Sequence, residues 1–148
     1  MVVAVGCCSQ SAHASSAQGV DQVTDLSATA ATNMFHFEPD LVRLAAGDQI
    51  VFLNTRGDHT VHSVPQFSPS ELEPIKISYK REASVSFPSD GVYVFRCRRH
   101  GQYGMVMPVV AGKGGDLDAV SEQIETMRAS DREKGAVAAL FSRYREST

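Results

Sequence analysis

Residues 97–105, "CRRHGQYGM", join the run "GVYVFR" (91–96) to the run "VMPVVA" (106–111). Both flanking runs are rich in Val and aromatic residues and short enough to be strands. A Cys, a His and a Met are therefore expected in a single connection between two strands, with Cys97 and His100 separated by two residues and His100 and Met105 by four. Outward from this connection the same texture continues. "NMFHF" alternates, "LVRLAAGDQIVFLN" gives two runs around a Gly-Asp turn, and "ASVSF" follows, separated from "GVYVF" by the turn "PSDG". Turn signals at this spacing predict an all-β fold, a Greek-key β-sandwich over residues 33–112. The stretch "PQFSPSELEPIKISYKRE" has no clear period and reads as a long loop or irregular crossing.

After "AGKGGD" the period becomes helical, and residues 113–148 are expected to form two short C-terminal α-helices packed on the sandwich. One carries Leu117, Val120, Ile124 and Met127 on a single face, and the other Val137, Leu140, Phe141 and Tyr144. Asp116 is a candidate cap for the first, and "SDRE" opens the second in the form of a capping box.

The first 32 residues differ from the rest, having no Lys or Arg and only Asp21 and Asp25 as acids. "MVVAVGCC" followed by small residues around Ala12-His13-Ala14 resembles the end of a secretory signal, although a basic start is missing. Residues 1–32 are thus read as a leader, with lipid attachment at Cys7 as a weaker variant. Cys7 and Cys8 lie in that leader, so Cys97 stands alone in the folded part and has no internal disulfide partner. The chain has 148 residues and a net charge of −3, with no run of Lys or Arg able to track a phosphate backbone, which argues against nucleic acid as a partner. No apolar run reaches the length that spans a bilayer.

The chemistry of Cys97, His100 and Met105 suits a soft metal ion better than nucleophilic catalysis. No acid stands beside His100 to orient it as a base, and a thioether has no part in acyl transfer. Zinc would use the thiolate and imidazole but gain little from the Met, whereas copper takes all three donors. Two His and one Cys in a plane with a long axial Met form an electron-transfer copper site. The second His has two candidates in "RGDHTVHSV", His59 and His62, and Met107 competes with Met105 for the axial place.

The runs "FEPDLVRLAAGDQIVFLN", "GDHTVHSV", "GVYVFRCRRHGQYGM" and "VMPVVAG" resemble the cupredoxins in order and spacing, most closely the pseudoazurin branch of that family. The resemblance implies one type 1 copper ion held by His59, Cys97, His100 and Met105, cycling between Cu(I) and Cu(II). It selects His59 over His62 and implies an electron carrier rather than an enzyme, since protein ligands fill every coordination position. By the same resemblance the protein is expected to be an exported, periplasmic monomer. It would exchange single electrons with other redox proteins, copper nitrite reductase among those the family serves. A copper carrier or storage protein is the alternative. Docking is expected near His100, in a setting of Gly101, Gly104, Met105 and Pro65, with Arg98, Arg99, Lys76, Lys80 and Arg81 as a basic rim for an acidic partner.

Two positions depart from the family pattern. Thr60 stands where an Asn usually ties the two ligand segments together, and Arg98-Arg99 stands where Thr-Pro is usual. A non-proline residue at 99 restores a backbone N–H that could reach the thiolate, which would raise the reduction potential.

Overall fold

The computed structural model describes residues 14–68 and 73–148, with the backbone alone at 55–58. The expected processing site, except for Ala14, and Cys7 and Cys8 lie outside the described residues. Seven strands are described: β1 (Ala17–Thr24), β2 (Phe35–Glu38), β3 (Val42–Leu44), β4 (Gln49–Ser63), β5 (Lys76–Ser86), β6 (Gly91–Arg96) and β7 (Val106–Ala111). They hydrogen-bond in the order β2-β1-β4-β6-β7-β3, with β5 on the other side of β4. Helices α1 (Val120–Thr126) and α2 (Asp131–Glu146) follow. The all-β sandwich with two C-terminal helices is therefore present, its strands linked along one curled, hydrogen-bonded path.

The alternating pattern explains the first core. Val20, Phe37, Ile50, Phe52, Val61, Tyr93, Phe95, Met107 and Val109 point into the curl, together with Cys97 and Met105. Phe52 and Phe95 meet edge to face at 5.3 Å between ring centroids, as do Phe87 and Tyr93 at 4.9 Å. Each such ring taken out of water contributes on the order of 1.5–3 kcal/mol.

β6 and β7 depart from simple alternation because both of their faces are covered. Val94, Val106 and Val110 face outward onto Val120, Ile124, Met127, Val137 and Phe141 of the helical segment. The helices thus cover a sheet face rather than an edge, and β7 is buried along its whole length. Asp116 Oδ1 accepts from the N–H groups of Asp118 and Ala119 at the entry to α1, and Ser130 Oγ caps α2 by accepting from Glu133 N–H.

Two stretches differ from their sequence reading. β1 lies within residues 1–32, read as a leader, yet it pairs in parallel with β4 and antiparallel with β2. Only Val20 and Gln22 of β1 are buried, so its pattern is too polar to announce a strand. "KISYKRE" was expected in a loop and instead forms most of β5, paired with β4 through Val61↔Ile77 and Thr55↔Lys80. β5 pairs only with β4 on the described sheet path, and an exposed edge strand tolerates charged residues that hide its period.

Candidate metal centre

His59 comes from the far end of β4, just past an irregularity in the β4–β5 pairing between Thr55 and Thr60. His59 and Val61 are buried there, whereas Thr60 and His62 are only partly buried. His62 faces a separate cleft with Ser63, Pro65, Lys76, Arg96 and Arg98. Desolvation holds its imidazole below its ordinary pKa, with further depression from the charges of Arg98, Lys76 and Arg96.

The connection from Cys97 to Met105 is tied by its own backbone. Gly101 N–H donates to Cys97 O at 2.8 Å, Met105 N–H to His100 O at 3.2 Å, and Cys97 N–H to Met105 O at 3.1 Å. A single 3-10 turn, Gly101–Tyr103, ends at Gly104, whose φ of 93° is the left-handed conformation that glycine adopts without strain. That reversal returns the chain to β7 with Met105 fully buried at its threshold. Met107 lies two residues farther along, opposite Phe95, in the core.

These elements bring His59, Cys97 and His100 together. One donor atom from each lies within 4.8 Å of the other two. The Nδ1 atoms of His59 and His100 face each other at 3.3 Å, and Cys97 Sγ is 3.8 Å from His100 Nδ1. The opposite nitrogen of His59 is engaged, its Nε2 being 2.8 Å from Thr24 Oγ1. With Nε2 committed outward, Nδ1 is the nitrogen that faces the other donors. Imidazole, thiolate and thioether donors, with the sulfurs buried, match the soft set that takes copper.

Thr60 links the two contributing segments. Its N–H is 3.5 Å from Cys97 Sγ and its hydroxyl 3.9 Å, and Thr60 Oγ1 accepts from Arg98 N–H at 2.9 Å. The hydroxyl thus makes a cross-loop tie of the kind the family pattern assigns to Asn. A backbone donor near sulfur disperses thiolate charge and tunes a bound metal.

His100 is half-buried, and aromatic rings join Gly101, Gly104 and Met105 in its immediate setting. Phe35 stacks on it at 3.8 Å between ring centroids, and Tyr103, 38% exposed, lies 6.4 Å away. Pro65 lines the His62 cleft. Thr24, Phe35 and Tyr103 escaped the sequence reading. Thr24 sits in the segment read as a leader, and the alternation of "NMFHF" gave Phe35 a strand but no neighbour.

The family of copper binding proteins described as plastocyanin/azurin matches residues 24–112. A pseudoazurin of Methylorubrum extorquens is 41% identical over 87 residues, covering 58% of this chain and 59% of that protein. A pseudoazurin of Paracoccus pantotrophus is 30% identical over 97 residues, covering 65% and 67% respectively. Against the first of these, then, the match spans about three-fifths of the relative's length. Among solved structures, the pseudoazurin of Methylobacterium extorquens superposes with a TM-score of 0.69 at 31% identity, over 86% of this chain and 98% of that one. That of Hyphomicrobium denitrificans gives 0.69 at 26% identity, over 86% and 97%. A sheet of this topology, a His-Cys-His cluster and a family match that takes in the cluster and strands β2–β7 lead to one assignment: the chain belongs to the plastocyanin/azurin family of copper binding proteins.

Proposed function

We propose that the protein is a type 1 copper electron carrier of the periplasm, in which His59, Cys97, His100 and Met105 would hold the ion. The observation that carries this reading is the convergence of His59, Cys97 and His100 donor atoms within 4.8 Å, beside a buried Met105. When bound, copper would supply a one-electron couple between Cu(II) and Cu(I) for exchange with other redox proteins. The chain's own residues hold the ligands still. The sheet fixes His59, Thr24 directs its imidazole, and the backbone bonds of residues 97–105 hold the other three, so little rearrangement accompanies a change of oxidation state.

Electron entry and exit are assigned to the His100 edge. Phe35, His100 and Tyr103 form a continuous aromatic surface there. Beside it, Arg98, Arg99 and Lys76 line a groove with Thr60, His62, Ser78 and Tyr79, with no acidic side chain among the described lining residues. An acidic redox partner is the complementary surface. Lys80 and Arg81 lie exposed on β5. Four protein ligands leave no open position for a substrate, so the site supports no enzymatic turnover.

Cyclic voltammetry of the copper-loaded protein tests this reading. A single reversible one-electron wave is expected. Irreversible cycling with copper loss would favour the carrier or storage alternative.

A further inference from the structure

Glu133 occupies the third position of α2, where the glutamate of a Ser-x-x-Glu capping box would reach back to the cap. Ser130 performs its half, with Oγ accepting from Glu133 N–H at 3.2 Å. The Glu133 side chain instead turns inward and is 1% exposed. There Arg96 Nε stands 2.9 Å from Oε1, a charge contact outside hydrogen-bond direction, while Nη2 donates to Oε2 at 3.1 Å. Arg96 Nη1 also donates to Arg128 O at 3.3 Å, in the turn ahead of α2.

A buried ion pair is an inefficient way to gain stability, since desolvation cancels much of the attraction and apolar residues of like size often do better. Burial accordingly pushes the Glu133 carboxyl above its ordinary pKa, against the opposing pull of Arg96. The placement of the pair suggests a different use. Arg96 directly precedes Cys97, and Gly101 directly follows His100. A Cβ on Gly101 would lie 2.8 Å from Glu133 Oε1, 3.2 Å from its Cδ and 3.4 Å from Arg96 Nε. The backbone at both ends of the Cys97–His100 segment therefore rests on one ion pair. One turn of helix farther on, Ala136 comes within 3.5 Å of where a Cβ on Gly104 would be.

We propose that the Arg96–Glu133 pair is a positioning device for the metal centre, through which α2 sets the spacing of Cys97 and His100. The proposal rests on the copper reading given above. Neither residue is a ligand. Arg96 anchors the chain entering the connection, Glu133 supports the turn that follows His100, and glycine at 101 permits the close approach. Neutralising Glu133 would also leave an uncompensated positive charge one residue from the thiolate, which favours Cu(I), the site's less positive state.

The test compares Glu133→Gln and Arg96→Lys with Phe141→Leu, a substitution in the outer core two turns farther along α2. In the metal-free protein, hydrogen exchange of the Gly101 amide is expected to quicken about tenfold in Glu133→Gln, as for a lost charged hydrogen bond, and less in Arg96→Lys. In the copper-loaded protein, Glu133→Gln should alter the thiolate charge-transfer band and raise the reduction potential, whereas Phe141→Leu lowers the melting temperature without either change. Glu133→Gln behaving like Phe141→Leu, with unchanged Gly101 exchange, band and potential, would overturn the proposal. Should Glu133→Gln fail to fold, Arg96→Lys decides by the same measurements. A wild-type protein with no charge-transfer band would count against the copper reading, and the metal-free exchange data would still decide on the clamp.

Discussion

The ring of Phe35 lies parallel to the imidazole of His100, 3.8 Å away between centroids and 4° from coplanar. Phe35 belongs to β2, which reaches β4 only through β1, so the stack joins one margin of the sheet to the ligand connection. It limits rotation of the one ligand that faces solvent. Offset or stacked aromatic pairs contribute about 0.5–1.5 kcal/mol beyond area burial. Phe35→Leu should therefore weaken copper binding by up to about tenfold, measured by competition with a chelator of known affinity. Unchanged affinity would show that the stack does not restrain His100.

Thr24 makes the corresponding contact to the buried ligand, with its hydroxyl 2.8 Å from His59 Nε2. Thr24→Val preserves shape and removes the partner. Copper affinity is expected to fall about ten- to a hundredfold, the range for loss of a group that orients a metal-ligating His. A titration indistinguishable from wild type would assign the orientation of His59 to β4 alone.

Thr60 lies against the Cys97 sulfur, and Arg99 contributes a backbone N–H to the same connection. Thr60→Ala removes the tie to Arg98 N–H and should cost about 1 kcal/mol of stability in urea unfolding, with Thr60→Asn recovering most of it. Arg99→Pro deletes a backbone N–H next to the ligand loop and is expected to lower the reduction potential. An unchanged potential in Arg99→Pro would remove that N–H from the account.

His62 makes stability depend on pH. Its pKa in the folded protein is depressed below 6.5, first by desolvation and then by Arg98, Lys76 and Arg96. The unfolded chain therefore binds more protons than the folded one as pH falls through and below 6.5, and stability falls with it. Melting temperatures of the metal-free protein should drop more between about pH 7 and pH 5 in wild type than in His62→Gln. Parallel curves would show that His62 carries no such linkage.

The legible part of this protein was its most local part. Cys97, His100 and Met105 lie in one connection, and the strands on either side of it have plain patterns, so donor chemistry and sheet could be read together. His59 required the family resemblance to separate it from His62, and the burial of alternate residues at the end of β4 agrees with that choice. β1 was hidden because a strand burying just two residues, one of them Gln22, carries almost no periodic signal. The Arg96–Glu133 pair was hidden for another reason. "SDRE" is already accounted for locally as a helix start, and nothing in it reveals that the Glu side chain leaves the cap for a partner 37 residues away. Phe35 on His100 likewise depends on a crossing of distant segments, which composition does not encode.

The central claim is that Cys97 is a thiolate ligand to copper between two imidazoles. It is tested most directly by the visible spectrum of the protein loaded with Cu(II), recorded beside that of Cys97→Ser. The account predicts an intense thiolate-to-copper charge-transfer band in the wild type and its complete loss in the variant, with the fold retained by circular dichroism. A colourless wild type, or a band that survives in Cys97→Ser, would contradict it.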